Sequence, residues 1–475
     1  MSVCCDNKYN GSYDVAVIGA GSAGFSAAIT ASDEGAQVAI IGYGTIGGTC
    51  VNVGCVPSKA LIKAAETLHI ASAADRFDGI EASAQVTDWN AAVKQKQDLV
   101  DDLRKAKYTD ILPAYNSVAY LEGEAVFSDN GTLTVDGNVI DAKKIIIATG
   151  TRPALPSIEG IENVSYLTST TALELETLPK SLLVIGAGYI GAEIAQIFAR
   201  AGVDVTIVSR RGLLPEAEPE IGEALTGYFA DENITIVSGI TYDRIEEDEG
   251  IITLHVNGQH GAKIITAEKV MIASGRTPNT DRLNLEKAGI EVSENQGIVI
   301  DTQMRTTREG VYAAGDVTGK DQFVYMAAYG AKIAAKNAMN SNSLSYDNTV
   351  MPAVVFTDPQ VASVGYTEAQ ARAAGFDVKT SVLTLDNVPR ALAARDTRGL
   401  FKLIADAKTK KILGAHILAP EGSDSIQTAA LAIKAGMTYE ELGSMIFPYL
   451  TTVEGLKLAA QTFDMDVKKL SCCAG

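Results

Sequence analysis

The chain contains no apolar run near the roughly 18 residues of a membrane span. Its start, Met1-Ser-Val-Cys-Cys-Asp-Asn-Lys8, lacks the basic and apolar blocks of a signal peptide. A cytoplasmic protein is therefore expected. Cysteine is sparse, with 6 in 475 residues, too few and too clustered for a secreted disulfide scaffold. Basic residues are outnumbered, 40 against 58 acidic ones, and the net charge is −18. A nucleic-acid binder would carry a basic stripe, so no nucleic-acid partner is expected. The acidity reads as solubility or as adaptation to salt. Histidine (4) and tryptophan (1) are also short.

What is present is an ordinary globular composition, 47% hydrophobic and 21% charged, which excludes large-scale disorder. A length of 475 residues is too great for one core and predicts two to four domains. Asp14-Val-Ala-Val-Ile18 reads as a buried parallel strand. Gly19-Ala-Gly21-Ser-Ala-Gly24, a helical stretch and Val38-Ala-Ile-Ile41 follow. This is a βαβ unit with the dinucleotide fingerprint in its first turn. The glycines there serve a tight turn, close approach to a pyrophosphate and close helix–strand packing. The pattern recurs as Leu182-Leu-Val-Ile185, Gly186-Ala-Gly188-Tyr-Ile-Gly191 and Val205-Thr-Ile-Val208. One fingerprint is a weak signal, but two in full βαβ context predict two dinucleotides.

The second strands end differently. Ser209, Arg210 and Arg211 follow Val208, and a neutral then doubly basic end suits a 2′-phosphate, hence NADPH over NADH; two solvated surface arginines are the alternative. In the first unit the acidic ribose-binding residue is replaced by Gly42, which leaves that contact unaccounted for. Lys144 to Gly150, with Thr149, and Val270 to Gly275 read as apolar strands ending in small-residue turns. Val311-Tyr-Ala-Ala-Gly-Asp316 ends on a carboxylate that can accept bonds from cofactor hydroxyls. The segment 58–107 reads as two helices inserted in the first domain. From about Ser345 onward, strand-like and helical runs alternate without a nucleotide fingerprint.

Cys50-Val-Asn-Val-Gly-Cys55 is followed by Val-Pro-Ser58-Lys59 and an amphipathic run. With Ser58 as the helix cap, Cys55 stands just before a helix N-terminus, where the dipole favours a thiolate. The spacing, with its glycine, lets the two sulfurs approach. Lys59 adds a positive charge, and two buried inert thiols are the alternative.

The run Gly47-Gly-Thr49-Cys50 through Cys55-Val-Pro-Ser-Lys59 resembles the redox motif of the flavoprotein disulfide reductases, the pyridine nucleotide-disulfide oxidoreductase family. Ala148-Thr-Gly150-Thr-Arg-Pro153 and Tyr312 to Asp316 are similar to its other FAD-binding motifs. The resemblance covers nearly the whole chain from Tyr13. It implies an α/β fold class, with two Rossmann-like dinucleotide-binding domains and a C-terminal α+β dimerisation domain. The implied bounds are 1–160 and 282–344 for FAD, 161–281 for NADPH and 345–475 for dimerisation. The implied FAD contacts are Gly19, Gly21, Gly24, Thr49, Lys59, Thr149, Gly150 and Asp316. Gly186, Gly188, Gly191, Ser209, Arg210, Arg211 and Gly275 complete the implied cofactor set. Cys55 is implied as the thiolate facing the flavin, Cys50 as the interchange thiol, and Lys59 with Glu193 as the ion pair beside the flavin.

Family members that reduce disulfides protonate the leaving thiolate with a histidine a few residues before a glutamate near the C-terminus. Here Glu454 is present, but Tyr449 holds the histidine position, and His69, His255, His260 and His416 all lie elsewhere. The chain ends Leu470-Ser-Cys472-Cys473-Ala-Gly475. Adjacent thiolates select a soft metal. A frayed tail is the plain alternative. Tyr449, the vicinal pair and Leu385-Asp-Asn-Val-Pro-Arg390 resemble the mercury-reducing branch of the family. That likeness implies Hg(II) as substrate, bound by Cys472 and Cys473 from the partner subunit of a homodimer and passed to Cys50 and Cys55. Tyr189 fits either the metal path or a lid over the nicotinamide. Cys4 and Cys5 read as a second metal-capture pair or as incidental. The rival expectations are a reductase of a small disulfide and a non-catalytic thiol protein that sequesters soft metal.

Overall fold

The computed structural model describes Tyr9, residues 11–259 and residues 261–469. Contacts divide the chain into two units. The first takes in the chain up to Ser58, Lys94–Ala154 and Gly275–Asn348; the second takes in Lys59–Val93, Leu155–Ser274 and the chain from Thr349 on.

The first unit is built on a five-stranded parallel sheet in the order Val311–Ala313, Asp141–Ile147, Ser12–Ile18, Val38–Gly42, Val118–Glu122. Both faces are covered, which is why the central strands are apolar at consecutive positions. Val15 and Val17 face Phe25, Ala27 and Ala28 of helix Ser22–Asp33 and Ala331 and Ala334 of helix Val324–Met339. Ala16 and Ile18 face Phe127, Leu133 and Val135 of a small antiparallel sheet. The fingerprint turn joins Ile18 to helix Ser22–Asp33, at the carboxyl end of the central strand.

The second unit repeats the plan with strands Tyr166–Thr168, Lys269–Ile272, Ser181–Ile185, Asp204–Ser209 and Thr235–Ser238, all parallel. An antiparallel meander, Ile240–Asp248, Ile251–Gly258 and Gly261–Ala267, accompanies it. The same unit holds a five-stranded antiparallel sheet in the order Ala353–Val355, Gln360–Gly365, Ile412–Ala419, Leu400–Asp406, Val378–Thr384. Helices Gly422–Lys434 and Glu454–Gln461 pack on it through Ile426, Ala429, Leu456 and Ala459.

The inserted segment forms helices Cys55–Ser72 and Trp89–Arg104 and a π-helical turn Lys105–Thr109. It is shared between the units, with a division at Lys94. Leu61, Ala65, Trp89 and Val93 belong to the core around Leu182, Val184 and Phe198, and the only tryptophan donates its Nε1–H to the Leu175 carbonyl at 2.8 Å. Among the described residues no helix is long and apolar enough to cross a membrane.

Candidate active site

The two thiols lie on consecutive short elements. Helix Gly48–Val53 carries Cys50, Gly54 interrupts it, and helix Cys55–Ser72 begins at Cys55 itself. Both cysteines are half-buried. The expected Ser58 cap is corrected: Ser58 sits within the first turn, its N–H donates to the Gly54 carbonyl at 3.1 Å, and its Oγ donates to the Cys55 carbonyl at 3.3 Å. The Gly54 carbonyl thus accepts the first helical bond, and Cys55 is the helix's first residue rather than the one before it. Asn52 holds the turn, donating from Nδ2 to the carbonyls of Ile46 and Gly48, both at 2.9 Å. Arg104 fixes that amide by donating to its Oδ1 at 3.1 Å. A Cβ at Gly54 would stand 2.9 Å from the Thr49 carbonyl, so the break between the helices needs a glycine.

Several neighbours of the thiols escaped the sequence reading. The Tyr108 hydroxyl lies 3.0 Å from Ser22 Oγ, and its ring packs edge-on against Phe25 with centroids 4.9 Å apart. Burial raises the Tyr108 pKa most, the Ser22 bond opposes this, and nearby Cys50 and Cys55 add to the rise. The phenol is therefore a neutral group at physiological pH. Arg276 donates from Nε to Thr151 Oγ1 at 2.7 Å and from Nη2 to the Thr151 carbonyl at 2.8 Å, and Thr151 donates onward to Asp316 Oδ2 at 3.0 Å. Burial lowers the Arg276 pKa, against the pull of Asp316 and Cys55; burial likewise raises that of Asp316, against Thr151 and Arg276. The signal was faint but present. Thr151 and Arg276 directly follow the motif glycines Gly150 and Gly275, and strands Thr151–Pro153 and Arg276–Pro278 pair antiparallel. Thr149 is tied into the same turn, since its Oγ1 donates to the Asn279 carbonyl at 2.8 Å.

The two fingerprint turns match closely. Gly19 has φ +120° and a Cβ there would stand 2.2 Å from the Ala148 carbonyl; Gly186 has φ +118° and its Cβ would stand 2.3 Å from that of Ala273. A Cβ on Gly24 or Gly191 would collide with the carbonyl of Gly19 or Gly186, at 1.8 and 2.2 Å. The middle glycines differ from these. Gly21 faces Gly48 across a backbone contact. Gly188 has an ordinary φ of −83°, and a Cβ there would meet nothing within 4 Å. Nothing among the described residues demands a glycine at 188, whereas close approach of a ligand's pyrophosphate does. Both turns open a helix whose first N–H groups point at that space, so they fit dinucleotide phosphates.

In the second unit, Lys59 Nζ pairs with Glu193 Oε2 at 2.7 Å and lies 4.6 Å from the centre of the Phe356 ring. Glu193 is buried, and its other oxygen accepts the Phe356 N–H at 2.8 Å. Tyr189 is the half-buried first residue of helix Tyr189–Arg200, and burial, then Glu216, raises its pKa. Ser209 is buried and accepts the Arg211 N–H at 3.2 Å; Arg210 and Arg211 are exposed. Tyr449 is 53% exposed. Glu454 is buried, accepts the Leu450 N–H at 3.3 Å and has its pKa raised by burial. The described histidines are engaged elsewhere: His69 beside Glu232 and Asp358, His255 on Glu246 at 2.9 Å, and His416 on the Tyr366 carbonyl at 2.9 Å. The structure brings together Lys59 with Glu193, and Asp316 with Thr151. It assigns the thiols to the first unit and Tyr189 and Tyr449 to the second. Cys4, Cys5, His260, Cys472 and Cys473 lie outside the described residues.

Residues 13–335 match the pyridine nucleotide-disulphide oxidoreductase family, and residues 351–460 match its dimerisation domain. The chain belongs to the pyridine nucleotide-disulphide oxidoreductase family. It is 48% identical to a mercuric reductase of Lysinibacillus sphaericus over 98% of this chain and 85% of that one. It is 46% identical to a mercuric reductase of Streptomyces lividans over 98% of both chains. Among solved structures it is similar to the Cu(II) complex of the HOCl-induced flavoprotein disulfide reductase RclA from Escherichia coli. That match has a TM-score of 0.85 and 32% identity, covering 95% of this chain and 99% of that one.

Proposed function

We propose that this chain is a cytoplasmic, homodimeric enzyme that reduces Hg(II) to Hg(0) at the expense of NADPH, using FAD and the Cys50–Cys55 pair, and so detoxifies mercury. The observation that carries the reading is the pairing of a family thiol motif with Tyr449, not an imidazole, ahead of Glu454. The overall reaction balances as NADPH and Hg(II) giving NADP⁺, a proton and Hg(0).

Gly19, Gly21, Gly24, Thr49, Thr149, Gly150 and Asp316 would hold FAD, with Lys59 beside its ring; Gly186, Gly188, Gly191, Ser209, Arg210, Arg211 and Gly275 would serve NADPH. When bound, FAD supplies the two-electron relay between NADPH and the thiols. The protein's own residues do the rest. Cys55 opens a helix, where the N-terminal dipole favours its thiolate, and the Arg276 cation acts in the same direction. Glu193, buried and doubly bonded, holds the Lys59 ammonium in one place. Cys472 and Cys473 of the partner subunit capture Hg(II) and hand it by thiolate exchange to Cys50 and Cys55, soft ligands for a soft ion. Tyr449 and Tyr189 line the path as phenols, which do not trap the metal as an imidazole would.

One assay separates this reading from its rivals: NADPH oxidation by the purified protein, with Hg(II) plus excess thiol or with disulfides alone. Turnover that requires Hg(II) is expected, and its absence sinks the proposal. Two substitutions test the nucleotide assignments. Gly188→Ala adds a methyl into open space, so the thermal midpoint should stay put while KM for NADPH rises about tenfold or more as the pyrophosphate is pushed off. An unchanged KM would remove Gly188 from the binding set. Arg210→Ala with Arg211→Ala removes charge-assisted bonds worth about 1.5–3 kcal/mol each. The exposed Arg211–Glu216 pair at 2.7 Å does not commit that guanidinium elsewhere, since such pairs contribute little. KM for NADPH should rise by about 10²-fold or more with NADH kinetics unmoved. Equal effects on both nucleotides would mean the arginines do not read the 2′-phosphate.

A further inference from the structure

The dinucleotide fold ordinarily ends its second strand on an acidic residue that takes a ribose hydroxyl. Here strand Val38–Gly42 ends on a glycine. Gly42 does not have the positive φ that would explain it by backbone conformation. The explanation is steric: a Cβ built on Gly42 would stand 2.4 Å from the Tyr120 phenol oxygen and 2.8 Å from its Cε2. The tyrosine fills the space that an acidic side chain would need.

Tyr120 belongs to the adjacent parallel strand Val118–Glu122, in a register that pairs Ile40 with Tyr120 and Gly42 with Glu122. Residues two apart share a sheet face, so Tyr120 and Glu122 stand on the same side at the carboxyl edge of the sheet. Tyr120 is half-buried and Glu122 is exposed. Burial, and then the Glu122 charge, hold the Tyr120 pKa above its usual value, so the hydroxyl keeps its proton and can both donate and accept. The Glu122 backbone carbonyl accepts the Tyr9 hydroxyl at 2.9 Å, which leaves its exposed carboxylate facing solvent at the sheet edge.

We propose that the Tyr120 hydroxyl and the Glu122 carboxylate together bind the adenosine ribose of FAD, in place of the carboxylate that Gly42 lacks. The assignment rests on the flavin reading above. A ribose diol offers two hydroxyls that each donate and accept, and a phenol beside a carboxylate answers both. The carboxylate also repels a 2′-phosphate, which keeps this turn selective for FAD against NADPH.

The test is the affinity of the full-length protein for flavin, read as release of fluorescent flavin on dilution. Tyr120→Phe and Glu122→Gln should each weaken FAD binding by about tenfold, the scale of one lost hydrogen bond. A flavin affinity within about twofold of the unaltered protein in both variants overturns the assignment. Because Tyr120 also packs in the sheet, Gly42→Glu combined with Tyr120→Ala provides the second arm. Restoring the usual carboxylate in the vacated space should bring FAD affinity back to within about threefold, and failure to do so also overturns the proposal. An unaltered protein that binds no FAD at micromolar concentration would instead sink the flavin reading itself, which distinguishes the two failures.

Discussion

Replacing Cys55 by alanine is expected to lower Hg(II)-dependent NADPH oxidation by about 10³-fold or more, the scale on which loss of a reacting group acts. Cys50→Ala should do the same, and the double variant should be no worse than either, because two thiols that exchange one disulfide work as a unit. The fold should survive. The turn that carries the sulfurs is held by Asn52, by Arg104 on its amide and by the glycine break at Gly54. None of these bonds uses a sulfur, so the thermal midpoint should move by no more than about 2–4 °C. Steady-state oxidation with Hg(II) plus excess thiol, measured alongside a melting curve, checks both halves. Either variant retaining more than about a tenth of the activity would mean that the metal is reduced somewhere other than this pair.

The parts of the site that local sequence determines are legible in the motifs themselves. The paired Gly19/Gly24 and Gly186/Gly191 collisions with neighbouring carbonyls arise within a single turn, so the motif alone predicts them. The apolar strands beside them could be read because a sheet covered on both faces needs consecutive buried residues. What was not legible comes from chain brought in over long range. Tyr108 meets Ser22 across 86 positions, and Arg276 meets Thr151 across 125. Tyr108 and Ser22 share no local pattern, and Thr151 and Arg276 are marked only by their places directly after the motif glycines Gly150 and Gly275. Gly42 looked like a gap in a motif, and only the approach of Tyr120 from the adjacent strand explains it. Ser58 was misread for a different reason. It is a residue type that favours caps, but Gly54 lets the helix start at Cys55, four residues earlier than a Ser58 cap would, so Ser58 spends its hydroxyl on the Cys55 carbonyl. The insertion shows the same limit, because the apolar faces of its two helices carry no mark of which core they join.

Tyr449→His should convert part of the activity toward disulfides. Reducing a disulfide requires a proton for the leaving thiolate. A phenol with an ordinary pKa near 10 is a poor donor at neutral pH, and an imidazole near 6.5 is a good one. The accessory group is already in place: Glu454 is the first residue of helix Glu454–Gln461, is buried, and accepts the N–H of Leu450, the neighbour of residue 449. The position itself is half exposed, so an imidazole fits without repacking a core. General acid catalysis of this kind contributes about 10²- to 10⁴-fold, so kcat for a small disulfide should rise by at least about 10²-fold. The gain should be largest below the imidazole pKa and fade as pH rises through it, because only the protonated ring donates. Hg(II) turnover should fall at the same time, because an imidazole nitrogen competes for the metal in transit. Tyr449→Phe is the control: it removes the hydroxyl without supplying an acid, so disulfide reduction should stay at background. A Tyr449→His protein with no pH-dependent gain over Tyr449→Phe would show that the missing histidine is not what separates this chain from the disulfide-reducing members of its family.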